Sequence, residues 1–175
     1  DVSKAQAGSL DLEESEIDVA AAIRSVSLMQ REKAAQAGVQ IVQEVPDDLP
    51  RLLGDRRRLR QILQNLISNA VRFTSRGGTV AVAASLDRGC IAFVIADSGK
   101  GMAAADIPRA FDPFAGLGRL QDAGGGGTGL GLPLCKGLME LHGGTIALAS
   151  QPGKGTIVTA TFPPARTVKP NPAEK

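Results

Sequence analysis

The sequence predicts an α/β two-layer sandwich: a mixed sheet of about five strands, three main helices on one face and a mobile lid. Three observations predict it. Two long stretches, Val19 to Ala37 and Arg56 to Thr74, carry apolar residues at helical spacing, and Leu134 to Leu141 does so over a shorter run. Two pairs of β-rich runs, Thr79 to Leu86 with Cys90 to Ala96 and Thr145 to Ser150 with Thr156 to Phe162, are each joined by a glycine-containing turn. Finally, 175 residues with 43% hydrophobic content are enough for one sizeable domain with short tails.

Composition narrows the partners. Twenty Lys+Arg against eighteen Asp+Glu leave a formal charge of +2, and 3% aromatics without Trp or Tyr offer no stacking platform for nucleic acid. Cys90 and Cys135 share no metal-like spacing with the only histidine, His142, and read as buried free thiols of a reducing compartment. The chain contains no run of 18 apolar residues and no basic-then-apolar leader, so no membrane contact and no secretory signal are expected of this domain.

In chain order, Asp1 to Gly8 reads as the tail of a preceding helix or a linker. Ser9 to Val19 alternates apolar and acidic residues, as in a short half-buried strand. Asp18 then caps the first helix, which Gly38 stops. Val39 to Val45 resumes strand character, Leu52 to Gly54 adds a brief extended piece, and Asp55 caps the second helix. That helix buries one stripe: Leu59, Ile62, Leu63, Leu66, Ile67, Ala70 and Val71. Asp87-Arg88-Gly89 signals a hairpin, and the apolar run from Cys90 to Ala96 suits a central strand. Ala103 to Gly127 is long and rich in small residues, with one apolar knot at Ile107, Phe111, Pro113 and Phe114; a mobile lid over about 102–127 fits it. Pro133 falls in the first turn of the last helix, where a missing N–H costs little. Pro163 to Lys175, with four prolines, reads as a disordered tail or linker.

Three stretches carry chemistry. Asn65, Asn69, Arg72 and Phe73 sit at i, i+4, i+7 and i+8 of the second helix, on one narrow face beside the buried stripe. The amides can offer oxygens to a hard cation and the guanidinium can meet phosphate, although a solvated polar flank has the same pattern. Asp97-Ser98-Gly99-Lys100-Gly101-Met102 follows a buried strand, so the carboxylate can accept from an exocyclic amine while the glycines let a flat ligand approach; an ordinary turn reads alike. Gly124 to Leu132 runs glycine-rich into a helix start, which is either a linker or a cradle of unpaired N–H groups for phosphate.

Taken in order, these stretches resemble the catalytic and ATP-binding domain of sensor histidine kinases, members of the GHKL ATPase superfamily with the Bergerat fold. Leu59 to Thr74 matches the N box, Asp97 to Met102 the first glycine box, Ile107 to Phe114 the F box and Gly127 to Leu132 the second glycine box. The resemblance spans roughly Ser9 to Pro163 and places Asp1 to Gly8 at the exit from dimerisation helices. It implies that Asn69 binds Mg²⁺ with Asn65 as a partner one turn earlier, and that Arg72 meets the phosphates of ATP. It puts Phe73 against adenine, Asp97 on its amino group and Gly99 and Gly101 around it. Gly127, Thr128, Gly129, Leu130, Gly131 and Leu132 would embrace phosphate, and Thr156 would help hold adenine.

The implied activity is transfer of the γ-phosphate to a histidine on a separate dimerisation domain. A response regulator would act downstream, the full-length protein would be a homodimer, and this domain would be cytoplasmic. Hydrolysing relatives carry a glutamate at the position of Asn65; an amide takes no proton, so hydrolysis is disfavoured. No acceptor lies in this chain, since His142 at a helix end reads as a structural or surface imidazole. The lid departs from the family's pattern, with Ala115-Gly116 after Phe114 and Arg119 only later. A degenerate nucleotide-binding or interaction module and an anti-sigma-type serine kinase are the alternatives.

Overall fold

The computed structural model describes residues 11–114 and 129–169. The Asp1 to Gly8 segment, the start of the predicted first strand, most of the predicted lid with Arg119, and the last residues of the tail lie outside the described residues.

The elements run β1 (Glu14–Ile17), α1 (Val19–Ala37), β2 (Gln40–Glu44), β3 (Leu52–Asp55), α2 (Arg56–Phe73), β4 (Thr79–Asp87), β5 (Cys90–Asp97), a 3-10 turn (Ala104–Arg109), α3 (Gly131–Leu141), β6 (Thr145–Gln151) and β7 (Gly155–Phe162). Both long helices start where their caps dictate. The Ala21 N–H donates to Asp18 at 2.9 Å, and the Arg57 and Arg58 N–H groups donate to Asp55 at 2.9 and 3.1 Å. Gly38 closes α1. The buried stripe of α2 consists of the seven residues that its periodicity picks out.

The five-stranded sheet has the order β2-β4-β5-β7-β6. β2 pairs parallel to β4 and every other pairing is antiparallel, so the sheet is mixed as predicted and β5 is its centre. Along β5, Ile91, Phe93 and Ile95 are buried while Ala92 and Val94 are only half-buried. That alternation is what a sheet with helices on one face requires. Phe93 and Phe162 meet edge to face at 5.8 Å in the core between sheet and helices. The two residues of the β4–β5 hairpin, Arg88 and Gly89, both have positive φ, the handedness that suits a tight turn between twisted strands.

A smaller antiparallel pair, β1 with β3, lies apart from the main sheet. Here the structure corrects the expected disorder over residues 164–168. Pro164–Arg166 forms a 3-10 turn, Thr167 bridges Leu52, and the Val168 N–H donates to the Arg51 carbonyl at 2.9 Å. The prolines shape this strap rather than dissolving it, because its polar groups find partners on β3 and on the hairpin at Gly89. Arg166 donates to the His142 carbonyl at 3.1 Å and pairs with Glu14.

His142 is buried beside Phe162. Nδ1 donates to the Leu138 carbonyl at 2.7 Å and Nε2 accepts from the Asp55 N–H at 3.1 Å, which fixes a neutral ring and the structural role. Burial pulls its pKa below the ordinary imidazole value, against the hydrogen bond to Leu138. The thiols are free, as expected, but only Cys135 is buried; Cys90 opens β5 beside the hairpin turn and is half-exposed.

Candidate functional site between α2, α3 and the central strands

β5 carries Asp97 to the edge of the core, where β7 lies alongside and Thr156 stands opposite it. Oδ1 of Asp97 accepts from the Gly99 N–H at 2.9 Å and from the Thr156 N–H at 3.2 Å. Among the described residues no hydrogen bond falls on Oδ2, so this carboxylate has an acceptor to spare. Burial raises the Asp97 pKa, and the two backbone donors work against that rise.

Two glycines let the loops close here. Gly101 has φ 66° and a Cβ on it would overlap the Gln151 carbonyl oxygen; Gly155 has φ 82° and a Cβ would overlap the Asp97 carbonyl oxygen. Gly99 is packed against the Phe73 carbonyl. The expected pocket residues Asp97, Gly99, Gly101, Phe73 and Thr156 are thus brought into one corner.

Sequence reasoning missed Ser150. Its hydroxyl donates to the Gly155 carbonyl at 2.9 Å, accepts from the Met102 N–H at 2.8 Å, and lies 2.8 Å from the Thr156 hydroxyl. With its own proton used on Gly155, Ser150 accepts from Thr156, whose Oγ1 keeps lone pairs for another donor. Only the pairing register of β6 with β7, which sets Ser150 opposite Thr156, reveals this.

The other wall is built by α2 and α3. Nη2 of Arg72 donates to Oδ1 of Asn69 at 3.4 Å, and the guanidinium lies 4.6 Å from the centre of the Phe73 ring. The Lys100 ammonium is 5.4 Å from the same ring, a second cation beside Phe73. Burial lowers the Arg72 pKa from its ordinary value. A Cβ on Gly131 would lie 3.4 Å from Nδ2 of Asn69, so the first turn of α3 faces that amide directly. Leu130 caps α3 without a side-chain hydrogen bond, so among the described residues the N-terminal N–H groups have no side-chain cap.

Leu132 packs its side chain against the core, so only its backbone can serve the site. Asn65, half-buried like Asn69, lies near Cys135, whose thiol donates to the Ile62 carbonyl at 3.7 Å; burial pushes that thiol up to about 12, with Asn65 acting in the opposite direction. Gly127 and Thr128 lie outside the described residues. Of the expected apolar knot, Phe114 is instead 58% exposed and Phe111 half-buried. The 3-10 turn from Ala104 to Arg109 packs beside β6.

The described residues contain no cluster of three or more His, Cys, Asp or Glu able to hold a metal. The Asn69 amide oxygen is a hard donor, the type that Mg²⁺ accepts.

A mixed sheet with helices on one face, an acidic corner at a strand end and a helix start facing an asparagine define a histidine-kinase-type ATPase domain. The chain belongs to the family described as "Histidine kinase-, DNA gyrase B-, and HSP90-like ATPase", which it matches over residues 54–166. It is 38% identical over 163 residues to an uncharacterised sensor-like histidine kinase of Rhizobium meliloti (strain 1021), covering 93% of this chain and 31% of that protein. It is 35% identical over 177 residues to the cell-division control histidine kinase PdhS of Brucella canis, covering 96% of this chain and 17% of that protein. The chain thus spans less than a third of these relatives.

Among solved structures, full-length ShkA in complex with AMPPNP superposes with a TM-score of 0.85 at 30% identity, covering 97% of this chain and 35% of that one. The catalytic domain of the histidine kinase ThkA shares the fold at a TM-score of 0.73 and 24% identity, covering 86% of this chain and 97% of that one. Among the described residues no helix is long and apolar enough to cross a membrane.

Proposed function

We propose that this domain binds Mg-ATP and presents the γ-phosphate to a histidine on a separate dimerisation domain, as the catalytic part of a sensor histidine kinase. One observation carries the reading: the acidic corner at Asp97 and the start of α3 are joined by the Asn69, Arg72 and Phe73 face of α2. In this reading Oδ2 of Asp97 accepts from the adenine amino group, Thr156 adds a hydroxyl, and Phe73 lies against the ring system. Gly99 and Gly101 shape that pocket.

Asn69 would hold Mg²⁺, with Asn65 as a second candidate one turn earlier. The metal would supply charge neutralisation at the phosphates. Arg72 orients the phosphate chain with a planar, multiply donating cation, and its contact with Phe73 keeps it in place. Backbone N–H groups from Gly129 to Leu132, continuing the Gly127-Thr128 stretch, add donors without a proton to lose. No carboxylate stands at the position of Asn65, so water is left unactivated and the phosphoryl group is kept for the protein acceptor.

The complex of AMPPNP with ShkA, a relative by structure, supports the nucleotide assignment. ThkA has been solved with its response regulator TrrA, which supports a response regulator as the downstream partner of the full-length, homodimeric parent. Such a parent would keep this domain in the cytoplasm. Titration calorimetry with ATP and Mg²⁺ tests the site: Asn69→Ala should abolish the Mg²⁺-dependent part of binding and Asp97→Ala should abolish adenine recognition. Binding like that of the parent by either variant would overturn the assignment.

A further inference from the structure

We infer that Ser150 is a positioning residue of the base corner: it fixes the Thr156 hydroxyl as an acceptor and so helps the corner select a 6-amino purine over a 6-oxo one. The inference rests on the proposed function, since it needs a nucleotide base to lie against Asp97. Its structural part is a count of protons.

Ser150, Thr156 and Asp97 stand level on three neighbouring strands, β6, β7 and β5. Two residues away along each strand lie Leu148, Val158 and Ile95, which belong to the core or pack against it. Side-chain alternation therefore turns the three polar residues to the same helix-covered face. Among the described residues the Ser150 hydroxyl has three polar partners: the Met102 N–H at 2.8 Å, the Gly155 carbonyl at 2.9 Å and the Thr156 hydroxyl at 2.8 Å. A carbonyl has no proton to give, so the contact with Gly155 takes the Ser150 proton. With that proton spent, the contact between the two hydroxyls takes the proton of Thr156. The Met102 N–H and the Thr156 O–H together fill both lone pairs of Ser150. One arrangement of protons satisfies all three contacts, and in it Thr156 Oγ1 has only lone pairs to offer.

Asp97, beside it, is an acceptor as well. Its Oδ1 takes the Gly99 and Thr156 N–H groups, and Oδ2 adds a second acceptor to the corner. An exocyclic amine brings two protons to two acceptors, whereas a carbonyl oxygen in its place would meet lone pairs from both. A Thr156 hydroxyl free to turn would donate to a carbonyl as readily as it accepts from an amine, and part of the discrimination would vanish. Ser150 acts only through Thr156.

Calorimetric titration of the 175-residue chain with ADP and with inosine diphosphate, whose base has a carbonyl in place of the amine, measures the preference. The parent should favour ADP about a hundredfold. Ser150→Ala should reduce that preference about tenfold, and so should Ser150→Cys, which keeps the volume but offers a weakly accepting sulfur and carries the test if the alanine variant fails to fold. Thr156→Val should reduce it to a similar extent, and adding Ser150→Cys to Thr156→Val should reduce it no further. A merely structural serine would change the thermal midpoint, or both affinities together, and leave their ratio alone. The role of Ser150 is overturned if Ser150→Cys keeps the parental ratio, or if it lowers the ratio as far in the Thr156→Val background as in the parent. A parent that binds both nucleotides equally overturns the selective corner. A parent that binds neither removes the nucleotide reading itself, and this inference with it.

Discussion

The two ends of the candidate site are built by opposite means. Around Asp97, backbone meets backbone: Gly101 against Gln151, Gly155 against Asp97, and Ser150 holding Met102, Gly155 and Thr156 together. Around Asn69, side chains of one helix meet, with a 3.4 Å hydrogen bond from Arg72 and the start of α3 opposite. The corner at Asp97 is closed by backbone contacts, whereas the wall at Asn69 presents side-chain groups and a helix start. A flat base needs a preformed slot, since its few hydrogen bonds must be placed in advance. A flexible phosphate chain with its cation can be gathered by side chains.

Substitution at a glycine of each end breaks that contrast most sharply. Gly101→Ala forces a Cβ into the Gln151 carbonyl at a positive φ and should cost about 3 kcal/mol or more of stability in urea denaturation. Gly131→Ala meets only the Asn69 amide, at 3.4 Å, so it should change stability by less than about 1 kcal/mol while weakening nucleotide about tenfold. Equal losses of stability in the two variants would erase the distinction between a locked and an open end.

Asp97→Asn sharpens it further. The amide oxygen can still accept from Gly99 and Thr156, so the fold should survive, but a donor replaces Oδ2 and adenine affinity by calorimetry should fall about a hundredfold. The raised pKa of Asp97 means that its charged form is disfavoured by folding. Its contribution is therefore most favourable below the ordinary carboxylate pKa and is lost as pH rises through the folded value. The variant should lack that acidic-range dependence.

The smallest effect concerns His142, remote from both ends. Its folded pKa lies below the ordinary value, so the neutral ring contributes stability above the unfolded pKa that is lost as pH falls toward the folded one. As the chain has a single histidine, urea midpoints should decline between about pH 7.5 and about pH 5.5. A flat profile there would show that Asp55 and Leu138 do not hold the ring neutral.

The elements and much of the site can be read in the residues themselves. Caps at Asp18 and Asp55, the seven-residue stripe of α2 and the two hairpins follow from local chemistry and from periods of 3.6 and 2. Asn69, Arg72 and Phe73 fall on one face for the same reason. What could not be read depends on register or on distant packing. Ser150 is one serine in an alternating edge strand until β7 is laid beside it. The Pro163–Lys169 strap looks disordered until β3 and Gly89 supply its partners. Lys100 beside Phe73 belongs with these, because only the turn after β5 aims it there.

β3, four residues long, holds β1 along its length and the strap through the bridge of Leu52 with Thr167. β1 and the strap, the two outer arms of the described chain, therefore meet at one corner of the domain, fastened to each other by the Arg166–Glu14 pair. Tension applied through the two arms would load these few bonds before it reached the five-stranded sheet. The domain would respond as a weight on a short tether, its arms peeling from β3 while Asp97, Asn69 and the start of α3 kept their relative positions.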